Sequence, residues 1–131
     1  DRKWLRAEGL DPSILAGVIG LAGPYDFYPF TSDAARIALG QWPKPDDTQP
    51  IQFARGDAPP LLLLTGDADT TVKPRNSERL MAKVESLRGV AVKKLYPGIG
   101  HSGIIMAISR PFRSLAPVVK DVVDFTQTGN I

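Results

Sequence analysis

Residues 59–66 read P-P-L-L-L-L-T-G, and four consecutive leucines between Pro59-Pro60 and Gly66 leave few structural choices. The run is too short for a buried helix, and being apolar at every position it has no face to give to water. It predicts a strand, Leu61 to Thr65, covered on both sides, as strands are in parallel sheets with helices over each face. The neighbouring sequence supplies the other parts of such a sheet. Arg75 to Arg88 is an amphipathic helix with Leu80, Val84 and Leu87 on one face, and Gly89 fits the C′ position that ends it. Val90 to Tyr96 and Ile14 to Leu21 are the two further strands.

This arrangement puts Asp69, in G-D-A-D-T-T-V, just past a strand's carboxyl end, and the chain's single histidine, His101 in Y-P-G-I-G-H-S-G, just past the next. Ligands and chemistry collect at that edge of an open α/β sheet. Parallel neighbours lie about 4.8 Å apart, so both loops emerge side by side and the imidazole can reach the carboxylate. Such a pair looks like two thirds of a catalytic triad. Each residue also has a plainer reading: His101 as a turn residue in a Gly-rich loop, Asp69 as a helix-capping acid. Asp67 is the better candidate for the cap.

The rest of the chain frames this centre. Residues 1–11 are the end of a helix stopped near Gly9, and Pro12 follows in a turn. Residues 22–60 hold seven of the twelve prolines and one short helical stretch, Ser32 to Leu39, capped by Ser32 or Thr31. That segment is too irregular for a core element and reads as a lid-like or pocket-wall excursion over the carboxyl edge. Its aromatic residues Tyr25, Phe27, Tyr28 and Trp42 are candidate substrate-binding residues, with a core role the alternative. Ile104 to Ile108 begins a short helix. Pro117 to Phe125 closes the fold with Val118, Val119, Val122 and Phe125 toward the sheet.

The order strand, G-D-A-D-x-x-V, helix, strand, G-x-x-H-x-G resembles the C-terminal part of the α/β-hydrolase fold, most closely carboxylesterases and lipases of the hormone-sensitive lipase and kynurenine formamidase groups. Upstream, I-L-A-G-V-I-G-L-A-G-P-Y-D-F resembles the strand after the nucleophile helix in those enzymes, with the G-P-Y-D turn at Gly23 to Asp26. P-I-Q-F-A-R-G-D-A-P-P resembles the approach to the acid-bearing strand. The resemblance implies Asp69, three residues before Val72, as the catalytic acid and His101 as the base of a Ser-His-Asp triad, with about three parallel strands and covering helices.

The nucleophile elbow G-x-S-x-G is absent from these residues. The nearest string, Gly100-His101-Ser102-Gly103-Ile104, ends in Ile and sets the serine beside the base. No H-G-G-G oxyanion string is present either. The resemblance therefore implies a C-terminal half, inactive alone as a serine esterase, whose nucleophile lies on residues not included. Its partners would be a small-molecule ester in the complete enzyme and either the N-terminal half of the same hydrolase or further copies of itself.

Composition narrows the alternatives. Hydrophobic residues at 43% and charged residues at 23% are ordinary globular values. Sixteen basic against fourteen acidic residues leave +2 with the basic residues dispersed, so a nucleic-acid partner is not expected. No apolar run approaches the roughly 20 residues of a membrane span, and a cytoplasmic location is the expectation. With no cysteine and one histidine, neither a metal nor a cofactor is expected. Two other readings stand beside the hydrolase. One is a non-catalytic α/β module used for binding or association. The other is a flavodoxin-like domain, against which the missing Gly-rich phosphate loop argues.

Overall fold

The computed structural model describes residues 2–128. One sheet of three parallel strands, β1 (Val18–Leu21), β2 (Leu61–Gly66) and β3 (Ala91–Tyr96), has the spatial order β1-β2-β3. Leu61 pairs with Val18 on one side and Ala91 on the other, and the register continues through Leu64, paired with Leu21 and Lys94. Every residue of β2 is buried.

The leucine run alternates between two cores. Leu62 and Leu64 pack with Ile104, Ala107, Val118 and Phe125, under helices α4 (His101–Met106) and α5 (Val118–Thr128). Leu61 and Leu63 pack with Leu80 and Val84 of α3 (Arg75–Ser86). Burying one such side chain is worth about 1.5–3 kcal/mol, so this strand is a main contributor to the stability of both layers. Two shorter helices, α1 (Arg2–Ala7) and α2 (Asp33–Leu39), flank β1 in sequence. The turn after α1 is made at Gly9, whose φ is +72°, with the Leu10 N–H donating back to the Leu5 carbonyl. The α2 cap is Ser32, whose hydroxyl accepts from the Ala35 N–H.

Several boundaries differ from the sequence expectation, each for a local reason. The first strand begins at Val18 rather than Ile14. Asp11 accepts from the Ser13 N–H and turns Pro12–Ile14 into a 3-10 helix. The adjoining β2 is preceded by Pro59-Pro60, which offer no N–H for longer pairing. The helix α3 ends at Ser86, and Arg88, not Gly89, takes the left-handed turn at φ +63°. Arg88 donates to the Glu85 carbonyl and Gly89 to that of Val84, a Schellman arrangement with Gly89 one position beyond C′. Glycine is required there because a Cβ would stand 2.7 Å from Val84 Cγ1. Leu87 leaves the helical register and is 39% exposed, so it does not join Leu80 and Val84. The helix after the histidine starts at His101 itself, three residues earlier than expected, with Gly100 in extended conformation as its cap.

The irregular segment is held down by two buried amides. Asn76 Oδ1 accepts from the Tyr25 and Asp26 N–H groups at 3.0 and 2.9 Å. Gln49 Oε1 accepts from those of Phe27 and Tyr28 at 2.6 and 2.9 Å. Four consecutive backbone donors beyond the end of β1 are satisfied this way, and Arg79 adds an ion pair to Asp26.

Candidate active site

The centre of the site is built by an unusually close approach of two loops. A Cβ on Gly66, the last residue of β2, would lie 1.9 Å from the Ile99 carbonyl oxygen, so only glycine lets the chain pass. The loops are then laced together. Asp67 N–H donates to the Tyr96 carbonyl, Ala68 N–H to that of Ile99, and Gly98 N–H to the Asp67 carboxylate at 2.7 Å. Asp67 therefore caps the neighbouring turn at Gly98, not the helix α3 as expected.

Asp69 projects from this seam. Its Oδ1 accepts from the Thr71 and Val72 N–H groups at 2.9 and 2.8 Å, which folds the loop around it. Its Oδ2 lies 2.9 Å from His101 Nδ1. The Asp69 side chain is wholly buried and that of His101 is 36% exposed. A buried carboxylate accepts hydrogen bonds, so Nδ1 carries the proton and Nε2 keeps its lone pair. The exposed part of the ring is thus available as a base. His101 owes its place to being the first residue of α4, whose Ile104 and Ala107 anchor the helix in the core.

The four aromatic candidates take separate places. The Tyr25 ring lies over Gly20 and Gly23 and packs with the Leu61, Leu63 and Leu80 cluster. Burial pushes its hydroxyl pKa up, against a weaker opposing pull from the Gly23 backbone. It lines a cavity of about 460 Å³ together with Val18, Leu61 and Val84, near the amino ends of the strands and on the α3 face. Phe27 and Tyr28 both approach Phe30, with ring centroids 5.8 and 5.2 Å away. Tyr28 and Trp42 are 47% and 54% exposed. The structure brings Asp69 and His101 into direct contact, whereas Tyr25 is partly buried against the α3-side cluster.

Gln49 and Asn76 are not foreseen from the sequence, nor is a buried cluster on the other face. Asp121 of α5 accepts from Lys94 Nζ and from the Tyr96 hydroxyl, each at 2.6 Å. Burial, reinforced by the Asp121 carboxylate, pushes the Tyr96 hydroxyl pKa well above its usual range. Burial also opposes the charge on Asp121, but hydrogen bonds from Lys94 and Tyr96 outweigh it and hold that carboxyl low. Period-3.6 spacing places Asp121 on the same side of α5 as Val118 and Phe125, which is the one signal that marks it.

No protein-family model and no curated protein sequence matches the chain. Solved structures do. A truncated carbohydrate esterase from gut microbiota superposes with a TM-score of 0.71 at 23% identity, over 88% of this chain and 42% of that one. An acetyl ester-xyloside bifunctional hydrolase from Caldicellulosiruptor lactoaceticus gives 0.66 at 15%, over 88% and 43%. The carboxylesterase Cest-2923 from Lactobacillus plantarum WCFS1 gives 0.64 at 15%, over 85% and 42%. The chain thus spans about two fifths of the length of these hydrolases. Among the described residues no helix is long and apolar enough to cross a membrane. With three parallel strands in one sheet and helices over both faces, the chain has half of an α/β-hydrolase fold.

Proposed function

We propose that this chain supplies the acid and the base of a serine carboxylic-ester hydrolase, with Asp69 and His101 in those roles and the nucleophile on a G-x-S-x-G elbow outside these residues. The observation that carries the reading is the pair itself: a fully enclosed aspartate with both oxygens engaged, bonded to Nδ1 of a half-exposed imidazole at the carboxyl edge of a parallel sheet. The esterase neighbours add support at the level of fold. Nothing in the chemistry of such a triad calls for a metal or cofactor.

On this reading each group has its part. His101 Nε2 takes the serine hydroxyl proton as the oxygen attacks the ester carbonyl, and returns it to the leaving alcohol. Water then repeats the sequence on the acyl-enzyme. Asp69 keeps the ring in the tautomer with Nε2 bare and stabilises the imidazolium. The segment after β1, with Phe27, Tyr28 and Trp42, stands as the wall against a small-molecule ester.

The test is to express the chain together with the residues encoded upstream of Asp1 and assay p-nitrophenyl acetate. Asp69→Asn is expected to lower turnover on the order of 10⁴-fold, the cost of a wrong tautomer, and His101→Ala at least as much. An Asp67→Asn variant as impaired as Asp69→Asn, or turnover indifferent to His101, overturns the assignment.

A further inference from the structure

Asn76 holds two structures at once. It sits in the first turn of α3 and is buried. On one side its Oδ1 receives the Tyr25 and Asp26 N–H groups. On the other, its backbone N–H and its side-chain Nδ2 donate to the Lys73 carbonyl at 3.0 and 3.2 Å. Lys73 is the residue after Val72, whose N–H is bonded to Asp69 Oδ1. Hydrogen bonds, joined by the backbone of Val72 and Lys73, therefore link the aromatic segment through one amide to the loop that encloses the acid. Gln49 differs. It binds Phe27 and Tyr28, but its Nε2 goes to Thr48 in its own segment at 2.7 Å, so it does not reach the acid loop.

We propose that Asn76 is a positioning residue that couples the wall segment Tyr25–Asp26 to the loop carrying Asp69, so that the orientation of the acid, and through it of His101, depends on the wall being seated. This rests on the roles given above to Asp69 and His101. Its functional content is specificity. A substrate that presses on the wall is felt at the acid–base pair through Asn76, without touching either residue. The coupling is physical because one buried amide pairs with groups of both elements: its Oδ1 is the acceptor for the Tyr25 and Asp26 N–H groups, which are costly to leave unpaired, and its Nδ2 adds a second bond to the Lys73 carbonyl.

The single histidine makes this measurable in the chain itself by NMR. The observables are the His101 Nδ1–H resonance, which persists while Asp69 accepts from it, and hydrogen exchange of the Tyr25 to Tyr28 amides. Asn76→Ala is expected to speed exchange of the Tyr25 and Asp26 amides by about tenfold or more and to lose the His101 resonance, while the Leu62 to Leu64 amides stay protected. Gln49→Ala is expected to free the Phe27 and Tyr28 amides and leave the His101 resonance in place. Asn76→Asp keeps an acceptor for the wall and loses the side-chain donor to Lys73, leaving only the backbone one, so the wall stays protected while the His101 resonance exchanges faster. An Asn76→Ala chain with freed wall amides and a wild-type His101 resonance overturns the coupling. If that variant does not fold, a wild-type resonance in Asn76→Asp overturns it equally. None of these readouts involves ester turnover, so the failure of this coupling and the failure of the hydrolase reading are distinguishable.

Discussion

Gly66 and Ile99 approach so closely that a single added methyl group on Gly66 would overlap the Ile99 carbonyl oxygen. This contact, remote in sequence, lets the acid loop and the base loop share backbone hydrogen bonds and brings Asp69 onto His101. Gly66→Ala is therefore expected to push the loops apart. Overpacking of this kind costs about 1–3 kcal/mol, readable as a lower urea midpoint, and the His101 Nδ1–H resonance should weaken with it. A variant as stable as the parent with that resonance intact would show that the seam has slack.

The central strand should be far less tolerant than the surface. Leu63 is 1% exposed between α3 and the sheet, whereas Leu95 on the edge strand β3 is 44% exposed. Leu63→Ala is expected to cost about 2–5 kcal/mol, and Leu95→Ala within about 0.5 kcal/mol. Equal effects in equilibrium unfolding would contradict the layered core.

The Lys94–Asp121–Tyr96 cluster gives stability a defined pH window. The Asp121 carboxyl is held below its ordinary 3.8, so its contribution is present above about pH 4 and is lost as pH falls through the folded value. The Tyr96 hydroxyl is pushed above its ordinary 10.0, so its contribution is complete below about pH 10 and is lost as pH rises toward the folded value. Unfolding midpoints across both ranges should fall at each end. Tyr96→Phe should abolish the alkaline slope that this residue contributes, and an unchanged slope in that variant would place its origin elsewhere.

Much of this architecture is legible in the residue order, and what is not has identifiable causes. Leu61 to Leu64 announce the central strand because no other element buries four adjacent apolar side chains so briefly. Asp69 and His101 stand out because each follows a strand end. The N-terminal limit of β1 was hidden, since Ile14 to Gly17 are apolar enough for a strand, and it is the Asp11 turn and the prolines before β2 that stop the pairing. Arg88 in a left-handed turn was hidden too, because the glycine beside it is needed for clearance from Val84. Gln49 and Asn76 carry no local signal at all: an amide's value depends on which distant N–H groups arrive beside it.

The strand β1 lies at one edge of the described sheet, and its outward N–H and C=O groups are an adhesive surface. The isolated chain is expected to sediment as a dimer or larger assembly at high micromolar concentration. A monodisperse monomer with a cooperative melt would contradict this.

On the proposed assignment the chain holds an acid and a base with the nucleophile elsewhere, so alone it should hydrolyse p-nitrophenyl acetate no faster than its His101→Ala variant. Robust turnover abolished by Ser102→Ala would reassign the nucleophile.

On the proposed assignment Asp69 dictates which nitrogen of His101 is bare, and ¹⁵N NMR of the imidazole, recorded above the usual imidazole range of about 6.5, measures that directly. The expected result is a protonated Nδ1 and a bare Nε2 in the parent chain, with the two tautomers mixed or reversed in Asp69→Asn and unchanged in Asp67→Asn. A parent chain carrying its proton on Nε2, or a tautomer indifferent to Asp69, would contradict it.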